Sequence, residues 1–366
     1  MTPKAFLIIA GAAAVSVTLA AFSTLSAPSR VAAVPERLFP GLYNAGDDIA
    51  TISIRTGDTD IVLRRAEDST AGDWLIAEPF GGYPADAEQV TAVLRALAEL
   101  SPLEAKTALP EQHERLGVEP VPDTIDDRDP ATLRVTFANA AGEPIADLIA
   151  GDRTNLGRRF VRAASEDQTW LSSEGIELPR IPIQFVERPL IQMNASRIRS
   201  VTIEHPGEDA FTIIRDENAP STAFVLSEIP AGFELAEGAA GTIRAVSNAI
   251  GFVSCTVITP LTGEDNPIND ADAVRVRIET TDDIAFEMRL NRIDQRGAWV
   301  SIEPSSAAAE GEPPAADLAE LTRKLSGYAF RMQGTLVDNL TTKRSDLLES
   351  ATPESLTPVG PVPPLE

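Results

Sequence analysis

Two histidines are the first residues to weigh, because imidazole is the commonest general acid–base group and metal ligand in proteins. The chain contains only His113 and His205. His113 opens the run His-Glu-Arg-Leu-Gly, which begins like the metalloprotease motif His-Glu-x-x-His, but Gly117 stands where the second zinc ligand is required. His113 falls in a loop-like insert and His205 precedes a proline at a turn, so we expect both at the surface. The histidines therefore predict neither a metal site nor an acid–base pair.

Serine-nucleophile, phosphate-binding and carboxylate motifs likewise give no evidence for an enzyme activity. The sequence holds no Gly-x-Ser-x-Gly elbow, no Gly-x-x-x-x-Gly-Lys loop and no Gly-x-Gly-x-x-Gly turn. Two acidic runs lack the ligand order and central glycine of an EF-hand. They contain Asp123, Asp126, Asp127 and Asp129, and Asp265, Asn269, Asp270 and Asp272. With 55 acidic residues, paired carboxylates are uninformative about glycoside hydrolysis. We predict no enzyme activity and no catalytic, cofactor-binding or metal-binding residue.

The sequence around the single cysteine and the three tryptophans predicts that these residues lie in the core. Cys255 lies in the apolar stretch 250–258, and one thiol cannot form an intramolecular disulfide. A cysteine among apolar neighbours behaves as a small hydrophobic residue, so we expect a buried thiol rather than a nucleophile. Trp74, Trp170 and Trp299 stand in strand-like apolar segments. We expect all three in the core, because an aromatic ring gains most from burial.

The first thirty residues indicate where the chain works. Residues 6–25 contain no ionisable side chain, and Lys4 precedes them. A helix of about twenty residues crosses the hydrocarbon core, which is about 30 Å thick. We predict a cytoplasmic N-terminus at 1–4, a transmembrane signal anchor at 5–26 and a linker at 27–46, with the rest of the chain exported. A cleaved signal peptide is the open alternative, because small residues follow the apolar run.

Charge and composition narrow the classes of partner. The formal net charge is −24, which repels nucleic acid and anionic lipid headgroups. Hydrophobic residues make up 43% of the chain and aromatic residues only 5%, so the cores must be built from Val, Ile, Leu and Ala. We therefore expect no nucleic-acid partner.

One order of elements occurs twice in the soluble part, about 150 residues apart. Residues 48–106 read as three strands and a helix with Asp86 as N-cap, and residues 197–257 repeat that order. Further strands match as well, for example 133–137 with 274–278. We predict an α+β fold made by duplication, with units at 47–190 and 191–345 and a disordered tail at 346–366. Each unit would be an antiparallel sheet with one long packed helix, and the first would carry an irregular loop at 109–130.

Several short segments together carry a family resemblance. They are Trp74-Leu75-Ile76 with Pro79, Pro84-Ala85-Asp86, residues 113–120, Leu148-Ile149-Ala150-Gly151-Asp152 and Arg159-Phe160-Val161-Arg162. With these segments the chain resembles the bacterial domain of unknown function 4340 family. The likeness is good over residues 48–190 and weak beyond, and Val118 stands where the family usually has Leu. The resemblance implies a single-span envelope protein similar to the auxiliary components encoded beside gliding-motility-type ABC transporters. The family has no assigned catalytic residues, so none carries over.

These observations lead to three functional hypotheses. We expect a non-enzymatic, single-pass protein of the inner membrane, mostly periplasmic, that binds another envelope protein such as ABC transporter subunits. Its partners would be the membrane and that envelope protein, and it would need no cofactor. The alternative is a periplasmic module that binds a small molecule or glycan in the cleft between the two units, near residues 179–195. The third is a hydrolase whose site the motifs do not reveal.

Overall fold

The computed structural model describes residues 33–66, 73–125, 131–219, 223–262, 266–294, 297–308 and 315–351. The N-terminus 1–4 and the anchor 5–26 predicted above lie outside these residues, as do Asp126, Asp127, Asp129 and Asp265. Among the residues that the structure describes, no helix combines the length and apolar character needed to cross a membrane.

The first half of the chain folds around a nine-stranded antiparallel sheet. Its strands are β1 (Thr51–Arg55), β2 (Asp60–Arg65), β3 (Trp74–Glu78), β4 (Tyr83–Pro84), β5 (Pro102–Ala105), β6 (Leu133–Ala138), β7 (Pro144–Arg153), β8 (Arg159–Ala163) and β9 (Thr169–Ser172). They lie in the order β4-β3-β2-β1-β6-β7-β8-β9-β5. Helix α1 (Ala87–Ala98) connects β4 to β5. It begins at Asp86, whose carboxylate accepts hydrogen bonds from the backbone N–H groups of Glu88 and Gln89, as an N-cap should.

The second half contains an eight-stranded antiparallel sheet and two short ribbons. Its strands are β10 (Ile191–Gln192), β11 (Ile198–Glu204), β12 (Phe211–Arg215), β13 (Phe224–Leu226), β14 (Phe233–Leu235), β15 (Phe252–Val253), β16 (Val257–Pro260), β17 (Val274–Thr280), β18 (Ile284–Arg292), β19 (Gly297–Ser306), β20 (Tyr328–Gln333) and β21 (Leu348–Ser350). Its helices are α2 (Ala239–Asn248), α3 (Leu318–Leu325) and α4 (Thr335–Leu340). The sheet order is β13-β12-β11-β17-β18-β19-β20-β16, and the ribbons are β10 with β15 and β14 with β21.

The two large sheets share one strand order. Strands β3-β2-β1-β6-β7-β8-β9-β5 of the first match β13-β12-β11-β17-β18-β19-β20-β16 of the second. Arg65 at the end of β2 in the first sheet and Arg215 at the end of β12 in the second sheet occupy the same place. The guanidinium of Arg65 lies 5.3 Å from the ring of Trp74, and that of Arg215 lies 5.2 Å from the ring of Phe224. Both arginines also donate to backbone carbonyls that precede the first matched strand.

Alternating burial along the strands builds the core. In β1, Ile52 and Ile54 are buried while their neighbours are partly exposed, as expected for a sheet with one face on the core. In α1, Val90, Val93 and Leu97 are buried on one helical face. A continuous cluster of buried apolar side chains runs through both units.

Side chains from the two units fill their junction. Tyr83 of β4 packs edge-on against Tyr328 and Phe330 of β20, with ring centroids 5.0 and 6.2 Å apart. Gly81 has a positive φ of 60°, and a Cβ there would overlap the ring of Pro260. The junction is held by the ring packing of Tyr83 and by this close backbone approach.

Three predictions about the fold need correction. The antiparallel sheets are confirmed, but the fold is sheet-rich rather than clearly α+β, because each large sheet is accompanied by one helix of only 12 or 10 residues at the matched position. The disordered tail predicted at 346–366 is wrong for residues 346–350, since β21 pairs with β14. The linker predicted at 27–46 packs on the first unit in part, because Leu42 is buried and the N–H of Leu38 donates to the carbonyl of Leu100.

Candidate functional site

Both histidines are buried, so the expectation that they lie at the surface is wrong. His113 is 3% exposed and His205 is 9% exposed. The Nε2 atom of His113 lies 2.9 Å from the carbonyl oxygen of Asp167, and that of His205 lies 3.1 Å from the carbonyl oxygen of Thr342. Each ring therefore bonds a backbone carbonyl of its own unit, which is the way a buried polar side chain is usually satisfied.

The insert predicted as an irregular loop at 109–130 is packed where the structure describes it. It forms two 3₁₀ turns, Pro110–Gln112 and Glu114–Leu116, and then buries Val118 completely. The predicted irregular structure is confirmed for residues 109–124, which contain only these two short turns. The packing was not predicted, because local proline content indicates where regular structure stops and not whether the segment contacts the sheet.

A buried arginine holds this insert against β8. The guanidinium of Arg162 donates to the carbonyl of Val118 at 3.1 and 2.9 Å, to that of Ala164 at 3.2 Å and to that of Glu166 at 2.8 Å. Burial lowers the pKa of Arg162 from its ordinary value. Arginine suits this position because its planar fork of five donors reaches several carbonyls at once.

Two glycines allow the insert to approach the end of β7. Gly117 has a positive φ of 62°, which favours glycine. A Cβ on Gly151 would overlap the carbonyl oxygen of Leu116. Three of the segments that carry the family resemblance, at 113–120, 148–152 and 159–162, therefore meet at one place. Their contacts there are structural.

The predicted burial of Cys255 and of two tryptophans is confirmed. Cys255, Trp74 and Trp170 are all buried. Trp299 is only partly buried, because the alternation of β19 gives the core position to its neighbour Val300.

We expect Cys255 to be unreactive while the chain is folded. Burial raises the pKa of its thiol to about 12 from an ordinary 9.0, and the thiolate is the reactive form. Alkylation by iodoacetamide at pH 8 should therefore be at least about 100-fold slower than in urea. Because folding raises the thiol pKa, the protonated thiol of Cys255 contributes fully to the stability of the fold below pH 9. That contribution is lost as the pH rises towards 12. Equal labelling rates in both states would contradict this account.

The acidic runs do not assemble a cation site in the part of the chain that the structure describes. Asp270 pairs with Arg289 at 3.1 Å, and Asp272 accepts a hydrogen bond from Asn269 at 2.6 Å. Among the described residues there is no group of three or more His, Cys, Asp or Glu side chains placed to hold a metal ion.

The edge strand β13 is the best candidate for a functional site. Natural sheets protect their edges with prolines, charges or covering elements, because an open edge attracts other strands. The other three edges of the large sheets are protected: β4 ends at Pro84 and packs on the second unit, β5 begins at Pro102 and carries Glu104, and β16 ends at Pro260. Strand β13 reads Phe-Val-Leu, with neither proline nor charge, and α2 packs beside it.

A groove of about 790 Å³ lies over β11 and β12 beside this edge. We call it the β13 groove; its lining includes Thr202, Thr212, Ile214, Val225, Asp216, Glu217 and Glu279. Ile214 and Val225 are directly opposite each other in the strand pairing and are 38% and 39% exposed. The groove therefore offers an apolar strip next to an open strand edge.

Some charged side chains around the β13 groove form ion pairs and others do not. Arg199 pairs with Asp283 at 3.0 Å, and Glu279 pairs with Arg277 at 2.9 Å. Asp216 accepts only a backbone hydrogen bond, and Glu217 is exposed. Asp216 and Glu217 have no ion pair among the described residues. Arg215 also lines the groove and donates to the backbone carbonyls of Ala195 and Ser196, so the three carboxylates of the lining exceed its two guanidinium groups by one.

In the part of the chain that the structure describes, the fold is sheet-rich and has two topologically matched units, and β13 is the large-sheet edge strand that lacks proline and charge. Residues 74–243 match the family described as "Domain of unknown function (DUF4340)". The resemblance to that family is thereby confirmed over these residues. No curated protein and no solved structure shows a significant match to the chain.

Sequence reasoning missed the β13 edge for a specific reason. The segment was predicted as a strand, but its place at the end of a sheet depends on pairing between residues far apart in the chain. The absence of proline and charge in Phe224-Val225-Leu226 was the available signal. It has meaning only once the strand is known to be an edge.

Proposed function

We propose that this protein is a non-enzymatic accessory component of an envelope complex. Residues 5–26 would hold it in the inner membrane as a single-pass anchor, and the two units would project into the periplasm. Their partner would be another envelope protein, such as the membrane subunits of an ABC-type transporter. The two units would derive from duplication of one sheet with one packed helix. Support comes from the apolar N-terminal segment and from the family match.

The single observation that carries the proposal is the unprotected edge of β13. An open edge with exposed apolar side chains promotes aggregation unless a partner covers it. Adding a strand to an open sheet edge is also a common mode of protein recognition. Among the residues that the structure describes, β13 is the one edge strand of the large sheets without proline or charge, and this supports a docking role for it.

The alternative of a ligand-binding cleft between the units is less well supported. Such a cleft would need an apolar cavity near residues 179–195. Around Tyr83 the junction is occupied by the rings of Tyr328 and Phe330, and the N–H of Asp86 donates to the carbonyl of Phe185 at 2.7 Å. We therefore favour the accessory role.

The direct test is a crosslinking pull-down from intact membranes. The full chain would carry a tag after Glu366, and mass spectrometry would identify the captured proteins. We expect transporter membrane subunits. The matched control is the same tag on residues 1–46 alone, which should not recover them. Release of a partner-free protein into the soluble fraction would contradict the proposal and favour the ligand-binding module.

A further inference from the structure

We infer that the β13 edge receives an extended segment of the partner protein as an additional antiparallel strand. This segment places apolar side chains against Ile214 and Val225 and a lysine or arginine near Asp216 and Glu217. The inference rests on the proposed function, because it specifies how the accessory protein would recognise its partner.

The backbone of β13 has free groups that point away from the sheet. The N–H of Ser227 donates to the carbonyl of Thr212 at 2.8 Å, and the N–H of Asp216 donates to the carbonyl of Ala223 at 3.0 Å. Bonded pairs alternate along an antiparallel ladder, so Val225 bonds towards β12. The N–H and C=O groups of Phe224 and Leu226 therefore face outward, and no strand among the described residues pairs with them.

The first unit shows how an edge of this kind is covered. Strand β3 occupies the place in the first sheet that β13 occupies in the second, and β4 adds to it as an antiparallel strand. Tyr83 pairs with Ile76 and Pro84 pairs with Leu75 in that added strand. In the part of the second unit that the structure describes, nothing takes the place of β4. A strand from another chain would complete the same arrangement.

The side chains beside the edge specify an alternating segment. Val225 faces the β13 groove while Leu226 faces the core and is buried. Side chains alternate between the two faces of a strand, and neighbouring strands keep apolar pairs together. The partner residues that lie on the groove side should therefore be apolar where they meet Val225.

The charges beside the edge specify a basic residue. Asp216 and Glu217 follow β12 directly and have no ion pair among the described residues. Of the two arginines in the lining, Arg199 is paired with Asp283, and Arg215 donates to backbone carbonyls, so a small excess of negative charge remains. The net charge of −24 adds a long-range attraction for basic segments and a repulsion for acidic ones. A segment with alternating apolar residues and at least one Lys or Arg fits both features.

The test uses the full chain in lipid nanodiscs and a phage-displayed library of random nonapeptides. We expect enriched peptides that alternate apolar residues with other residues and carry Lys or Arg. The Val225→Asp variant should bind them about tenfold more weakly, which corresponds to about 1.4 kcal/mol. The matched control is Leu156→Asp, because Leu156 is 80% exposed at the tip of the β7–β8 hairpin. It should bind within about twofold of the unaltered chain.

Hydrogen exchange on the unaltered chain tests the geometry without a variant. An added strand should protect the amides of Phe224 and Leu226 when the selected peptide binds. Absence of that protection, peptides without alternation, or equal binding to Val225→Asp would overturn the inference. If the pull-down still recovers transporter subunits in that case, only the mode of docking is wrong. If it recovers no partner, the proposed function itself fails.

Discussion

The Arg162→Ala variant should lose about 3–5 kcal/mol of unfolding free energy. The substitution removes the donor from the carbonyls of the buried Val118, the half-buried Ala164 and the exposed Glu166. The buried carbonyl of Val118 without a partner costs about 1–3 kcal/mol, and the lost packing of the buried arginine side chain adds to that loss. The insert would detach from β8 at the same time, so the buried Val118 would become exposed. Urea denaturation followed by circular dichroism measures the loss.

Two further variants separate this role from a general effect of removing arginine. Arg64→Ala is the matched control, because Arg64 is exposed on β2 of the same sheet, and its change should stay within about 0.5 kcal/mol. Arg162→Lys should recover only part of the loss, because an ammonium group cannot span carbonyls that a planar fork reaches together. Equal stability of Arg162→Ala and Arg64→Ala would show that the insert is not held in this way.

The Tyr83→Ala variant should lose about 3–5 kcal/mol, as large-to-small changes of buried aromatic residues usually do. The ring of Tyr83 fills the space between β4 and β20 and makes edge-on contacts with Tyr328 and Phe330. Its removal opens a cavity where the two units share their core. Differential scanning calorimetry should show a lower transition temperature, by about 1–2 °C for each kcal/mol in a chain of this size.

Tyr43 provides the control for Tyr83. It is 72% exposed, and its only ring contact in the described residues is with Arg37, at 5.5 Å. We expect Tyr43→Ala to change stability by less than about 1 kcal/mol. If both tyrosine variants had the same transition temperature as the unaltered chain, the junction would not depend on packing of the Tyr83 ring.

Local pattern predicted the elements of this fold well. The alternation of Ile52 and Ile54 identified β1, and Asp86 marked the start of α1. Both signals operate within a few residues, where backbone geometry and side-chain periodicity decide the outcome. The antiparallel sheets followed from several such strands in succession.

The features that the sequence did not predict depend on pairing between residues far apart in the chain. His113 is buried because the insert folds back on β8, and nothing near it in the chain indicates that contact. Trp299 points away from the core because Val300 takes the buried position in the strand register. The open edge at β13 likewise exists only after eight strands have paired. These features depend on contacts between residues far apart in sequence, which periodicity does not encode.

The most direct test of the central claim places a photo-crosslinking amino acid at Val225 in the full chain in its native membranes. A second chain carries it at Leu156, which is 80% exposed and lies in the first unit away from β13. We predict that Val225 crosslinks to one extended, basic segment of an envelope protein and that Leu156 does not. Crosslinks of the same partners from both positions, or none from Val225, would contradict docking at the β13 edge.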